Sequence, residues 1–175
     1  MVDIAHIAVI PLKALQIDKN TFCCSSEPLN VYFKRVASQD EKRDLSKCFV
    51  LIHQPTNSII GYYTLSAKSI PISHVPQGVV KNGVYQEISA ALIGRLAIDQ
   101  RFAGQGYGKF LVIDAIFKIK DSPLGVTVLT VDAKDESAVK FYQNLGFIKF
   151  IDFDEENQKL FLPLKHFKQH FSDFK

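Results

Sequence analysis

The chain has 175 residues, 47% of them hydrophobic and 22% charged, and its formal net charge at pH 7 is +3. This length and composition predict one globular domain, residues 1–175, with a full apolar core. The apolar runs are far shorter than the roughly 20 residues of a membrane span, and no basic segment with a cleavage site opens the chain. We therefore predict a cytoplasmic protein with no membrane partner. The small positive charge by itself does not identify any other partner.

The first half of the chain predicts a strand, a helix and a hairpin, in that order. Residues 4–10 are apolar and β-branched, which is typical of a strand. Residues 27–47 predict a helix with one apolar face. Residues 48–53 and 59–66 predict a hairpin around a turn at 55–58, and residues 71–82 predict a loop.

The second half continues the alternation. Residues 87–98 predict a strand, residues 106–120 a helix, and residues 126–131 a short strand with the apolar density of a central position. Asp135 caps the next predicted helix, which Gly146 ends. Residues 147–150 and 159–163 predict a last hairpin around an acidic turn at 152–157, followed by a short helix from Lys165. Interleaved strands and helices predict an α/β or α+β fold with a mixed sheet.

Three glycines, Gly104, Gly106 and Gly108, lie between the strand at 87–98 and the helix that follows it. Glycine tolerates a positive φ and lets the backbone approach a ligand closely. The N-terminus of the helix adds unsatisfied N–H groups and partial positive charge, and Arg101 and Lys109 can add charge-assisted contacts. The turn therefore predicts a diphosphate site.

Two common phosphate-binding loops do not fit this turn. The GxGxxG pattern is absent, and no acidic residue follows at the distance that a dinucleotide fold requires. Lys109 is followed by Phe110, so the Ser or Thr that binds magnesium in a P-loop is missing. A tight turn that binds no ligand remains the structural alternative.

The cysteines and histidines predict no metal site. Cys23, Cys24 and Cys48 lack the spacing of metal ligands, and among the five histidines only His166 and His170 have it, at i and i+4, and are interpreted as surface residues. The adjacent Cys23 and Cys24 could form a redox pair. The favoured interpretation is that all three are small, partly buried thiols in a reducing compartment.

The Arg101-x-x-Gly104-x-Gly106 core, combined with the segment SAVKFYQNLGF at 137–147, resembles the GNAT superfamily of N-acetyltransferases. The resemblance runs from about Cys48 to Pro163. It implies a GNAT fold, with a mixed twisted sheet of six to seven strands splayed at the centre and about four flanking helices. It also implies acetyl-CoA as co-substrate. The implied cofactor contacts are Leu96, Ala97, Ile98, Arg101, Phe102, Ala103, Gly104, Gln105, Gly106, Tyr107, Gly108 and Lys109.

A narrower similarity extends over almost the whole chain. The segments 22–30, 61–65 and 94–99 look like GNAT toxins of type II toxin–antitoxin systems. Those toxins usually open with Phe-x-Cys-Gly-x-x-x-Leu-Asp, whereas here Ser25 or Ser26 replaces the glycine and Asn30 the aspartate. The resemblance implies acetylation of the α-amine of aminoacyl-tRNA, which blocks translation, and a ribbon-helix-helix antitoxin as partner. A homodimer would spread basic surface across a tRNA, although the sequence carries no interface signal.

The family motif makes Tyr142 the proton donor to the leaving sulfur, since a phenol with a pKa of about 10 is protonated at neutral pH. Its position in an apolar helix stripe equally predicts packing in the core. Glu87 is the one carboxylate that we consider as a catalytic base. The alternative is that it is a solvent-exposed residue at the end of a strand. An α-amine, with a pKa of about 7.7–8.0, needs little help from a base. Asp99 is expected to cap or orient the turn.

Basic residues give two candidate contacts with the substrate. Arg95 lies on the strand before the turn and could contact an RNA phosphate or the acceptor end, or form a salt bridge. Lys34 and Arg35 belong to a basic group in the first helix, which is either a solvated face or an RNA-binding face whose activity falls with salt.

Two other functions remain open from the sequence. The chain could be a GNAT enzyme that acetylates a small-molecule or protein amine. It could also be a non-catalytic acyl-CoA-binding or interaction module that keeps the fold.

Overall fold

The computed structural model describes residues 4–81, 85–151 and 158–169. In these residues seven strands form one mixed sheet, in the order β1-β2-β3-β4-β5-β7-β6. The strands are β1 (Ile7–Pro11), β2 (Lys47–His53), β3 (Ser58–Pro71), β4 (Glu87–Ile98), β5 (Val128–Ala133), β6 (Ile148–Lys149) and β7 (Gln158–Pro163). This architecture confirms the predicted α/β class and the number of strands.

The helices are α1 (Glu27–Val31), α2 (Ala37–Lys42), α3 (Tyr107–Asp121) and α4 (Glu136–Asn144). A π-helical segment, Tyr32–Val36, joins α1 to α2 without a break. The described residues therefore contain three helices and several short 3-10 turns, where about four helices were predicted.

The chain divides into two compact units. Within the described residues, the first unit comprises the chain up to Ser66 together with Gly94–Ala115. The second unit comprises Ala67–Ile93 and the described residues from Ile116 onwards. The prediction that residues 1–175 form one domain stays a prediction.

The first unit is built on the antiparallel strands β1, β2 and β3. Aromatic side chains fill its core, where the ring of Tyr62 stacks on Phe33 at 4.5 Å and meets the edge of Phe22 at 5.5 Å. The first helix ends at Lys42, five residues before the predicted end at residue 47, because Asp44 adopts the left-handed region with φ 55°.

The second unit contains the parallel pairing of Ala90–Ile93 in β4 with Val128–Val131 in β5. Strand β5 also pairs with β7, and its burial on both faces confirms the predicted central position. Helix α4 begins where predicted, since the Asp135 carboxylate accepts a hydrogen bond from the Ala138 N–H at 2.8 Å. Gly146, with φ 90°, follows its end.

Several boundaries differ from the predictions. The first strand begins at Ile7 after a 3-10 turn, β3 continues to Pro71, and β5 is shifted by two residues to Val128–Ala133. The predicted last helix is a 3-10 segment, Leu164–Gln169, within the described part. The acidic turn at 152–157 and Asn82 lie outside the described residues. In the part of the chain that the structure describes, no helix combines the length and apolarity that crossing a membrane requires.

Candidate functional site

The glycine turn connects β4 to α3 in the first unit. Gly104 and Gly106 adopt φ values of 74° and 90°, which residues with a Cβ rarely adopt. A Cβ placed on Gly104 would meet no atom within 4 Å, so the backbone conformation requires glycine there and the space above it is open. The turn leads into the N-terminus of α3 at Tyr107, where backbone N–H groups point out of the helix. Open space, positive φ and the N-terminus of a helix fit a diphosphate.

Asp99 organises the start of this turn. Its side chain is fully buried and accepts hydrogen bonds from the N–H groups of Cys23 and Arg101, both at 3.0 Å. The Arg101 guanidinium donates to both oxygens, at 2.8 and 2.9 Å. Burial opposes ionisation, but these hydrogen bonds outweigh it and hold the pKa of Asp99 below its usual value. This geometry agrees with the predicted capping role.

The same contacts bear on Arg101, which was predicted to add a charge-assisted contact to the diphosphate. Its guanidinium is bidentate on Asp99 and its side chain is half exposed. The ion pair therefore orients the turn, and phosphate contacts would come first from backbone N–H groups. Other predicted residues support this turn: the Gln105 amide donates to the Arg101 carbonyl at 3.3 Å, and the Phe102 ring meets the edge of Tyr107.

The last residues of β4, Leu96, Ala97 and Ile98, were predicted to contact the cofactor. Ala97 is buried, whereas Leu96 and Ile98 are half-buried. Gly61 of β3 packs tightly against this segment, because a Cβ there would lie 2.6 Å from the Ala97 carbonyl oxygen. The absence of a side chain at Gly61 therefore permits the close approach of the two strands.

For Arg95 the sequence allowed either a contact with RNA or a salt bridge. The salt bridge does not form in the part of the chain that the structure describes. Among the described residues, its guanidinium makes no ion pair and lies 3.6 Å above the centroid of the Tyr32 ring. The Tyr32 hydroxyl donates to Asp40 at 2.9 Å, which fixes the ring from its far end. The guanidinium is thus a positioned cation with N–H donors available to a ligand.

Lys34 and Arg35 lie in the π-helical segment next to Tyr32. Arg35 is exposed and Lys34 is half-buried. The π segment brings the consecutive residues Tyr32 and Phe33 into the core together. Such segments are often found at functional sites.

Tyr142 lies on α4 in the second unit. Its ring is buried between Phe141 and Phe147, with centroids at 5.0 and 5.2 Å. Burial raises the pKa of its hydroxyl, so the group keeps its proton. The ring packs in the core, and the hydroxyl has no hydrogen-bond partner among the described residues.

Glu87 is the first residue of β4 and belongs to the second unit. It is exposed and accepts a hydrogen bond from the Ser69 hydroxyl at 2.6 Å. This placement resembles a solvated strand end, and its role as a base stays a prediction.

Sequence reasoning overlooked two side chains. Tyr32 was assigned only to an apolar helix face, and its contact with Arg95 depends on residues 63 positions apart in the chain. Asn30 was noted as a departure from the toxin motif, but its buried amide both accepts from the Cys24 N–H at 2.7 Å and donates to the Cys24 carbonyl at 3.0 Å. An amide side chain can both accept and donate a hydrogen bond, which explains why asparagine occupies position 30.

The thiols are consistent with structural roles. None of the three cysteines forms a disulfide within the described residues, Cys24 and Cys48 are buried, and Cys23 is exposed. Burial raises the pKa of Cys48 to about 12, which makes it a poor nucleophile at neutral pH. Among the described residues, no group of three or more potential ligand side chains could hold a metal ion.

Comparison with known proteins matches residues 23–166 to the family model described as Acetyltransferase (GNAT) domain. The chain is 26% identical to a probable toxin TacT from Sinorhizobium fredii, over 78% of this chain and 81% of that protein. It is 28% identical to the tRNA-acetylating toxin of Mycobacterium tuberculosis, over 78% and 82% of the two chains.

Solved structures show the same relationship. The complex of AtaT with acetyl-methionyl-tRNAfMet has a TM-score of 0.80 and 28% identity, covering 93% of this chain and 97% of AtaT. A tyrosine-to-phenylalanine variant of KacT has a TM-score of 0.83 and 28% identity, covering 95% and 99%. An AtaT variant bound to the C-terminus of the antitoxin AtaR and to acetyl-CoA has a TM-score of 0.76 and 26% identity, covering 95% and 99%.

These matches confirm the resemblance drawn from the glycine turn and the α4 motif. They also confirm the predicted class of enzyme, an acyltransferase, and acetyl-CoA, the predicted co-substrate, is a ligand in the AtaT structure. The family model spans the first and the second unit, including both sequence motifs. The chain therefore belongs to the GNAT family of acetyltransferases.

Proposed function

We propose that this enzyme transfers the acetyl group of acetyl-CoA to the α-amine of aminoacyl-tRNA and thereby acts as a toxin that blocks translation. The observation that carries the proposal is the similarity to AtaT, which covers nearly all of both chains and includes a complex with an acetylated aminoacyl-tRNA. The similarity to a tRNA-acetylating toxin over about four-fifths of each chain supports the same substrate.

The donor would be held mainly by backbone groups of the first unit. The N–H groups from Gly104 to Lys109 fit its diphosphate, and those of Leu96 to Ile98 would polarise the acetyl carbonyl. Acetyl-CoA supplies the thioester from which the acetyl group is transferred. Asp99 and Arg101 would keep the turn in the shape that these contacts need.

Tyr142 would protonate the leaving thiolate. A general acid must carry its proton at the working pH, and burial raises the pKa of this phenol above its ordinary value. The packing of its ring between Phe141 and Phe147 would fix the direction of the hydroxyl. Core packing and catalysis, both of which the sequence predicts for Tyr142, are thus compatible.

The acceptor would need no dedicated base. An α-amine has a pKa of about 7.7–8.0, so a useful fraction is neutral near pH 7 without assistance. This removes the need for Glu87, whose exposed carboxylate already accepts a hydrogen bond from Ser69. After the amine attacks the thioester carbonyl and the C–S bond breaks, the nitrogen of the new amide would lose its proton to solvent.

Arg95 would recognise the acceptor end of the tRNA. Its guanidinium lies over the Tyr32 ring, and a planar fork of donors suits phosphate and carbonyl oxygens. Lys34 and Arg35, on the adjoining π segment, would add electrostatic attraction to the RNA.

The partners follow from the same relationship. An AtaT structure contains the C-terminus of its antitoxin, and we infer that a ribbon-helix-helix antitoxin neutralises the present enzyme in the cytoplasm. A homodimer would present a wider basic surface to tRNA.

The test offers labelled acetyl-CoA and the enzyme to a set of charged tRNAs, to polyamines and to peptides with free N-termini. Label is expected on aminoacyl-tRNA, and uncharged tRNA and tRNA whose amino acid is already N-acetylated serve as controls. Transfer only to polyamines or peptides would replace the proposal with a small-molecule or protein acceptor. Binding of acetyl-CoA with no transfer to any amine would favour a non-catalytic module.

A further inference from the structure

A pocket of about 750 Å³ opens in the first unit, away from the glycine turn. It lies where the end of β1 and the start of β2 meet α2. Three of the residues around it are lysines, and three others give it an apolar wall. The lining residues are Pro11, Leu12, Lys13, Ser38, Glu41, Lys42, Lys47 and Phe49. We call this site the lysine pocket.

The charges of the lysine pocket are only partly compensated. Lys47 forms a salt bridge with Asp44 at 2.6 Å. Lys13 and Lys42 are exposed and make no ion pair with any residue in the ranges that the structure describes. Glu41 is the one carboxylate in the lining, and one of its oxygens accepts a hydrogen bond from the Cys48 N–H at 3.0 Å. The pocket therefore carries a net positive charge and attracts anions.

Strand register locates the lysine pocket relative to Arg95. The N–H of Arg95 donates to the side chain of Thr64, and Thr64 pairs with Cys48, the neighbour of Lys47. Since β3 lies between β2 and β4, Lys47 and Arg95 are two strands apart, which is about 10 Å at the spacing of strands in a sheet.

The glycine turn lies at the other end of these strands. The N–H of Asp99 donates to the carbonyl of Ile60, four residues along β3 from Thr64. Four residues of strand correspond to about 13 Å. The lysine pocket therefore lies near the ends of the strands where Arg95 is found. It is separate from the place where the diphosphate of the donor fits, at the opposite ends of these strands.

We propose that the lysine pocket binds a phosphate-bearing nucleotide segment of the acceptor arm of tRNA, an inference that rests on the proposed function. Lys13 and Lys42 would neutralise phosphates, and the wall formed by Pro11, Leu12 and Phe49 would contact a base or ribose. Glu41 favours RNA over an acidic peptide, because its carboxylate can accept hydrogen bonds from base amino groups and ribose hydroxyls, whereas ionised acidic side chains offer no donor.

The experiment measures the affinity of the full-length enzyme for uncharged tRNA and for an acceptor-arm minihelix, without acetyl-CoA, over a series of salt concentrations. Lys13→Glu/Lys42→Glu is compared with Lys81→Glu/Lys149→Glu, which changes the net charge equally at two exposed lysines outside the pocket. Lys13→Gln/Lys42→Gln provides a milder version, and thermal unfolding checks that each variant is folded.

The pocket variants are expected to weaken binding of both RNAs at least about fivefold at physiological salt. They should also flatten the slope of log affinity against log salt by about 1.4 to 1.8, the amount that two lost phosphate contacts predict. The control pair should retain the wild-type slope. Two results would overturn the proposal. One is an unchanged salt slope in both pocket variants. The other is that the pocket variants no longer bind a glutamate-rich peptide that the wild type binds, while their affinity for tRNA is intact.

The two hypotheses can fail separately. The binding assay contains no acetyl donor, so its outcome does not depend on catalysis. An enzyme that binds tRNA through Lys13 and Lys42 but acetylates no aminoacyl-tRNA would refute the proposed function and leave the lysine pocket standing. An enzyme that acetylates aminoacyl-tRNA with unaltered salt dependence in the pocket variants would do the reverse.

Discussion

The carboxylate of Asp99 accepts a hydrogen bond at 3.0 Å from the backbone N–H of Cys23, a residue 76 positions earlier in the chain. The Gln100 N–H returns a bond to the Cys23 carbonyl at 2.9 Å. One buried carboxylate therefore joins the toxin-like N-terminal segment to the start of the glycine turn, and also holds the Arg101 guanidinium. The two segments are coupled through Asp99.

Replacing Asp99 with alanine is expected to lower the free energy of unfolding by about 2 to 3 kcal/mol, because hydrogen bonds to a buried charged group are lost. It should also raise the Kd for acetyl-CoA, since the turn loses its anchor. Urea unfolding and calorimetric titration measure the two effects. Asp132→Asn, an exposed change of the same charge, is the control. Wild-type affinity for acetyl-CoA in the Asp99 variant would contradict the anchoring role.

Asp99 also predicts an acid dependence. Its pKa is lowered in the folded protein, so its stabilising contribution is present above the unfolded value of about 3.9 and is lost as the pH falls through the lower folded value. The stability difference between wild type and Asp99→Asn should therefore be constant near neutrality and shrink below about pH 4. Unfolding midpoints measured from pH 7 to pH 3 test this, and a difference that grows on acidification would show the opposite sign.

Asn30→Asp, which restores the residue usual in the toxin motif, is expected to destabilise this protein by about 1 to 3 kcal/mol. An aspartate cannot donate to the Cys24 carbonyl, and it would place a second carboxylate beside Glu27, which now accepts from the Asn30 amide at 3.1 Å. Thermal and urea unfolding measure the change. Asn57→Asp, in an exposed turn, should be nearly neutral. Equal effects of the two substitutions would remove the special role of the Asn30 amide.

Gly61→Ala tests the close approach of β3 to β4. The new methyl group would lie 2.6 Å from both the Ala97 carbonyl oxygen and the Ile98 side chain, and the carbonyl belongs to the backbone and cannot rotate away. A loss of about 1 to 3 kcal/mol is expected from overpacking, together with a higher KM for acetyl-CoA. Gly125→Ala, where a Cβ meets no atom within 4 Å, is the matched control. A stable, fully active Gly61→Ala would show that the strands can separate at no cost.

Arg95 and Tyr32 should act together on the acceptor. Arg95→Ala is expected to raise the KM for aminoacyl-tRNA while the Kd for acetyl-CoA stays the same, and Arg95→Lys should rescue it only partly because a lysine lacks the planar fork. Tyr32→Leu removes the ring under the guanidinium, a contact worth up to about 2 kcal/mol when desolvated. Steady-state kinetics on the two single variants and the double variant measure the coupling. Strictly additive effects would mean that the ring does not position Arg95.

Tyr142→Phe is expected to lower kcat by about 100-fold, the lower end of general-acid contributions, with acetyl-CoA affinity unchanged. Because burial raises the pKa of this phenol, the wild-type rate should show no loss from deprotonation of the donor up to about pH 10. Single-turnover rates across this range check both statements. Phe141→Leu, at the neighbouring position, controls for loss of packing. Unchanged turnover in Tyr142→Phe would exclude it as the donor.

The chain's local patterns determined the secondary structure and the glycine turn. β4 was predicted to the residue and α3 to within one residue at each end, because strand alternation, glycine spacing and helix periodicity act over short distances. Local patterns also explain why the first helix was predicted too long and the π segment was missed. The end of the first helix depends on the left-handed conformation of Asp44, and the π segment has no distinct sequence period. Family motifs, which are also local, identified the acetyltransferase.

Tertiary structure alone decided what the charged side chains do. Arg101 pairs with Asp99, whereas Arg95 stacks on Tyr32. Lys13 joins Lys42 and Lys47 in one pocket although they come from different elements. A long cation can point to several partners, and its choice depends on which distant groups the folded backbone brings within hydrogen-bonding reach. The glycine turn could be predicted from the sequence because its conformation is a property of the local backbone, whereas the partners of Arg95 and of the pocket lysines could not, because they come from distant parts of the chain.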